Sequence, residues 1–155
     1  MHYEEEYDLV LFPQTFYPDV DATAKLMTDL AEFMVKKGKK VLIVTPNRSY
    51  ERPNIKYPEF EIIENIHVHR IKIPKLNKNN ALQKILLYYL FSTKAKRILK
   101  KLNYKIALAI LPPFFVAYKT LKVTKKKEKK FIFLLHDLHP DDMVSRKQVS
   151  PKNPL

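Results

Sequence analysis

The chain contains no cysteine and a single glycine, Gly38, in 155 residues. Without cysteine there is no disulfide scaffold, no Cys-ligated zinc and no thiol nucleophile. Average usage of ~7% would give roughly eleven glycines. With one glycine, neither a GxGxxG fingerprint nor a Walker loop can be written, so the two commonest phosphate-cradling signatures are excluded. Long hydrophobic runs are missing too. The longest uncharged apolar run is Ile85–Phe91, far short of the ~20 residues a membrane-spanning helix needs. The N-terminus opens Met1-His2-Tyr3 and then three glutamates. It has no apolar core of a secretory signal, so the cytoplasm is the expected compartment.

Acidic residues are also few: 16 against 29 Lys and Arg, for a net charge of +13. The imbalance is local. Residues 1–80 hold 12 cations and 12 anions, whereas residues 81–155 hold 17 and 4. A basic second half implies an anionic partner, whether lipid headgroup, nucleic acid or phosphorylated substrate, or else a solvated lysine surface. With 46% hydrophobic and 29% charged residues the chain is globular, and its length fits one domain.

The apolar pattern alternates between two periods. Asp8–Pro13, Val41–Thr45, Ile106–Leu111 and Phe131–Leu135 are short apolar runs that read as buried strands. Leu26, Met27, Leu30, Phe33 and Met34 recur at helical spacing, which predicts a helix over 22–37. Asp21 suits its N-cap and Gly38 its C-terminal stop. Phe60–Ile63 and Ile66–Ile73 read as two strands joined at Glu64-Asn65. Further helices are predicted over 81–103 and from Phe114 to about Val123, with Lys125–Lys130 a solvated turn. The order is β-α-β, a hairpin, then α-β-α-β. This predicts an α/β domain: a Rossmann-like, open and mainly parallel sheet with helices on both faces. Ligands of such sheets bind beyond the carboxyl ends of the strands. The segments leaving those ends are Pro13–Asp21, Leu111–Phe114 and His136–Asp142.

Phe16–Pro46, His67–Lys75, Leu111–Val116 and His136–Asp142 (HDLHPDD) together resemble the N-terminal half of GT-B glycosyltransferases of the family-4 type. The tyrosine-proline-acid turn and the DLAEFMVKKG helix carry most of that resemblance. It implies a domain over 1–142 that holds the sugar-acceptor site, with 143–155 a loose tail. It also implies an absent C-terminal domain that would bind the nucleotide-sugar donor. The chain would then be the acceptor-side half of a truncated or split enzyme, needing no metal and no cofactor beyond the donor. Its partners would be a sugar or lipid-linked acceptor, a separate donor-domain chain, and an anionic membrane at the inner face; no specific nucleic acid is expected. Where the family commonly has glycine in the first loop, this sequence has Asp21, and a carboxylate there repels a diphosphate.

The resemblance places His136 near the reacting sugar, as the candidate catalytic residue. Candidate substrate-binding residues are Tyr17, Asp19, Asp21, Thr23, Lys25, Asn47, Asp137 and Asp141. Each carboxylate can accept sugar hydroxyls, and each can equally cap a turn or a helix. Thr23 and Lys25 fall in the first helical turn, where N–H groups and a cation favour an anion. His67 and His69 share one strand face, and His136, Asp137, His139 and Asp141 cluster in sequence, yet neither set completes a zinc pattern. Serines 92, 145 and 150 lack the context of a nucleophile elbow. The helix over 81–103 has two open readings: packed on the sheet, or presenting Ile85–Phe91 and its lysines to a membrane surface. Two rival functions remain: a basic nucleic-acid-binding module, and an interaction module without chemistry.

Overall fold

A computed structural model of the protein describes residues 5–75, 80–111 and 114–135. The elements follow in the order β1 (Glu6–Phe12), α1 (Ala22–Lys36), β2 (Val41–Pro46), β3 (Phe60–Ile63), β4 (Ile66–Ile71), α2 (Ala81–Lys101), β5 (Asn103–Leu111), α3 (Phe114–Lys126) and β6 (Lys130–Leu135). The six strands form one sheet in the order β3-β4-β2-β1-β5-β6. Every neighbouring pair is parallel except β3–β4. The turn between those two strands puts both Glu64 (φ 47°) and Asn65 (φ 66°) in the left-handed region, as a two-residue hairpin turn requires.

The core is split by the sheet. On one face Met27 and Ala31 of α1 pack with Leu9, Leu11, Ile43 and Val68. On the other, Phe91, Ala95 and Leu99 of α2 join Val116, Ala117 and Val123 of α3 over Val10, Phe12, Val44 and Ala107. Inward positions alternate along the central strands, so residues facing both layers are apolar. That accounts for the unbroken apolar runs of β2 and β5.

Helix ends follow local chemistry. The Asp21 carboxylate accepts the Ala24 N–H at 3.0 Å and caps α1. At the far end Gly38, at φ 72°, lets its own N–H reach Val35 O at 2.8 Å and the Lys39 N–H reach Met34 O at 3.0 Å. These are the paired bonds of a Schellman stop. Asp21→Ala should cost about 1 kcal/mol, read as a lower urea midpoint with unchanged slope. Glu128, at φ 54°, plays the glycine's role at the end of α3.

Two expectations need correction. The run at Lys125–Lys130 is not wholly a turn: Lys125 and Lys126 form the last turn of α3, where cations are favoured by the helix dipole. β6 is not a buried strand. It lies at the sheet edge, and Ile132, Phe133 and Leu135 are about half exposed, because among the described residues only β5 flanks it. The packing of α2, left open by the sequence, is mainly through its second half, with Leu87 the first-half residue that joins the core. Leu82, Ile85, Leu86 and Tyr89 are exposed. Residues 143–155 lie outside the described residues.

Candidate functional site at the carboxyl edge of the sheet

Because β1, β2, β4, β5 and β6 run the same way, the segments leaving them gather on one edge. From β1 the chain passes through α1 to β2 on one side; from β4 it passes through α2 to β5 on the other. The direction of winding therefore reverses between β1 and β5, and the first loop, 13–21, leaves the sheet at that reversal.

This loop is pinned at several points. Arg70, at the end of β4, is fully buried. Its Nη2 donates to the Tyr17 carbonyl at 2.6 Å, and its Nε and Nη2 reach Glu61 Oε1 at 2.8 and 2.6 Å. The guanidinium also sits over the Tyr57 ring, 4.7 Å from its centre. Asp19 accepts the Tyr57 hydroxyl at 2.9 Å and the Tyr50 N–H at 3.3 Å, which ties the first loop to the 47–58 loop. Thr15 Oγ1 donates to Asp21 Oδ1 at 2.8 Å. The Tyr17–Pro18 peptide is cis.

The structure assigns the candidate residues different roles. Tyr17 is exposed, so its ring is available to a ligand while its carbonyl is held. Asp19 is occupied in joining two loops. Asp21 caps α1 with one oxygen, and its Oδ2 is buried with no hydrogen-bond partner. Thr23 is half-buried and Lys25 exposed, both in the first turn of α1. Asn47 is buried between strand ends. Its Oδ1 accepts Ile73 N–H at 3.1 Å, and its own N–H donates to Ile71 O at 2.9 Å. It therefore fixes the edge rather than facing out. His136, Asp137 and Asp141 lie outside the described residues.

Two residues escaped the sequence reading. Gln14 lines a crevice of about 30 Å³ with Arg48, Tyr50, Ile73 and Leu87, room for one or two waters. Its Nε2 is buried and unpartnered. Arg48 is not free to bind there, because Nε and Nη1 donate to the carbonyls of Ile73 and Pro53 at 3.1 and 2.8 Å. Arg70 is the other. A lone cation in an apolar strand at an inward register position was the available signal. Gln14 had a weaker one, as the first polar residue after β1.

The paired histidines sit elsewhere. His67 Nδ1 is hydrogen-bonded to the Tyr7 hydroxyl at 3.0 Å, and buried His69 packs against Phe60 in a tilted arrangement, centroids 4.3 Å apart and planes at 37°. They line a separate groove of about 240 Å³ near the β3 edge. Among the described residues no group of three or more His, Asp or Glu side chains is placed to hold a metal ion, and no helix is long and apolar enough to cross a membrane.

No protein-family model matches this sequence, and neither does any curated protein. Among solved structures, the chain is similar to the C-terminal domain of a hydrogenase from Pyrococcus furiosus. The TM-score is 0.51 at 13% identity, covering 84% of this chain and 93% of that one. The fold is Rossmann-like. At this identity the likeness speaks of architecture alone.

Proposed function

We propose that this chain is the acceptor-side half of a GT-B glycosyltransferase, binding a sugar or lipid-linked acceptor at the carboxyl edge of its sheet. The observation carrying this reading is the pair of buried, unpartnered polar atoms in the first loop: a donor, Gln14 Nε2, and an acceptor, Asp21 Oδ2. Buried polar groups are almost always paired. Each hydroxyl of a polyhydroxylated ligand offers both an acceptor and a donor, the complement of these two atoms, and the crevice at Gln14 has room for one hydroxyl or a bridging water. Tyr17 in the same loop adds an exposed ring face.

A lipid-linked acceptor is favoured by the surface next to this edge. Leu82, Ile85, Leu86 and Tyr89 of α2 and Phe114, Phe115 and Tyr118 of α3 are exposed at the N-terminal ends of their helices. Lys119 lies over Tyr89 at 3.7 Å, and Lys122 over Tyr118 at 4.4 Å. An apolar face rimmed by ammonium groups suits an anionic membrane surface. In the complete reaction a hydroxyl of the acceptor displaces the nucleoside diphosphate at the anomeric carbon of the donor. The leaving-group charge is met by a donor-binding domain supplied from elsewhere, and this chain alone gives no turnover.

The Gln14 side-chain amide provides a direct readout, since its N–H pair gives its own cross-peaks in a proton–nitrogen NMR spectrum. Titration with methyl glycosides and N-acetylglucosamine should move those peaks, and Gln14→Leu should weaken the saccharide response of the backbone amides of the first loop while leaving the fold intact. Peaks that stay fixed across the saccharides, with steeply salt-dependent binding of an oligonucleotide, would favour the nucleic-acid reading instead.

A further inference from the structure

Between Ala81 and Lys127 the sequence has no Asp or Glu at all and twelve Lys or Arg residues. The fold concentrates part of this charge in a concave place. Lys96 and Lys100 of α2 and Lys122, Lys126 and Lys127 at the end of α3 line a cleft of about 620 Å³, together with Val123. That volume lies in the range of small-ligand sites. Lys96, Lys100, Lys122 and Lys126 form no ion pair among the described residues. Glu128 follows in sequence but does not line the cleft. One cation is built in at the base: Lys127 is half-buried, donates to the Leu102 carbonyl at 2.6 Å and lies 5.5 Å from the Tyr104 ring centre.

We propose that this cleft between the C-terminal halves of α2 and α3 is a binding site for a soluble oligophosphate, a ligand with several clustered phosphate groups. The five lysines lining the cleft have no carboxylate among the lining residues to answer them, and lysine serves phosphate as a compact, rotatable point charge. No aromatic ring or amide side chain lines the cleft, so nothing is provided to stack on or read a base. A bilayer surface is disfavoured by position. Lys100 lies eleven residues beyond Tyr89 along α2, about 16 Å away from the apolar patch. Lys122 is shared with the apolar patch, where it lies over Tyr118, whereas Lys100 and Lys126 belong to the cleft alone, so variants of those two test the cleft separately from the sugar-acceptor reading.

Titration calorimetry with sodium tripolyphosphate tests this. Saturable one-to-one binding should appear at low salt and weaken as salt is raised. Lys100→Ala/Lys126→Ala should weaken it on the order of tenfold, from the loss of two partly exposed charge contacts. Lys36→Ala/Lys37→Ala removes the same net charge from α1, on the other layer, and should leave binding unchanged. Equal weakening by both pairs would reduce the effect to net charge and overturn the proposal. So would failure to bind tripolyphosphate when vesicles of phosphatidylglycerol, or a single-stranded oligonucleotide, bind through these same lysines.

Discussion

Glu61→Gln should destabilise the protein by about 3 kcal/mol or more, and should do so more severely than Arg70→Met. The asymmetry follows from where the two charges sit. The Arg70 side chain is 1% exposed and that of Glu61 29%. Removing the glutamate charge strands a guanidinium in the interior, where breaking a buried pair costs ~3–5 kcal/mol. Removing the arginine leaves a carboxylate that still reaches water, together with an unpaired Tyr17 carbonyl. Arg70→Met/Glu61→Leu replaces both partners by apolar volume and should regain most of the loss, because the desolvation of two charges disappears with them. Urea unfolding of the three variants gives the ordering. A Glu61→Gln cost below 1 kcal/mol would show that the guanidinium is hydrated or otherwise compensated. The first loop is coupled to this pair through Arg70 Nη2 and the Tyr17 carbonyl. The double variant should therefore free Tyr17 even where stability is restored, which separates folding from the organisation of the site.

That coupling marks where sequence reasoning reached its limit. The strands, the hairpin turn and the caps of α1 were legible because each depends on neighbours in sequence. Asp21 caps a helix beginning one residue later, and Gly38 closes one three residues after Val35. The position of β6 was not legible. Its apolar run reads as an interior strand, and only the spatial order β1-β5-β6 makes it an edge. Asp19 read equally well as a ligand contact or a turn residue. Its partners, Tyr50 and Tyr57, are 31 and 38 residues away, and nothing local announces them. Arg70 bonds a carbonyl 53 residues before it. The basic cleft was visible as composition but not as a place. Its two walls belong to helices separated by β5, and their lysines meet only once both helices pack on the same face of the sheet.

The second large effect concerns pH. Burial pushes the His69 imidazole down to about 4, with the Glu59 carboxylate acting weakly in the opposite sense. The ring is 7% exposed, and its Nδ1 has no hydrogen-bond partner, so a proton added there would enter the interior without an acceptor beside it. The unfolded chain takes that proton near 6.5. Above that value neither state is charged, and the stability is fully present. As the pH falls below 6.5 the unfolded state binds a proton that the folded state refuses, and stability drops until the folded value near 4 is passed. The difference of the two values corresponds to about 3 kcal/mol in total, and to about 2 kcal/mol already lost at pH 5. His69→Phe keeps an aromatic ring against Phe60 and removes the titration. Its unfolding free energy should therefore fall less than the parent's between pH 7.5 and pH 5, by that amount. Identical pH profiles for the two proteins would mean that His69 accepts its proton in the folded state as readily as in water. The groove it lines would then be wetter than its burial indicates.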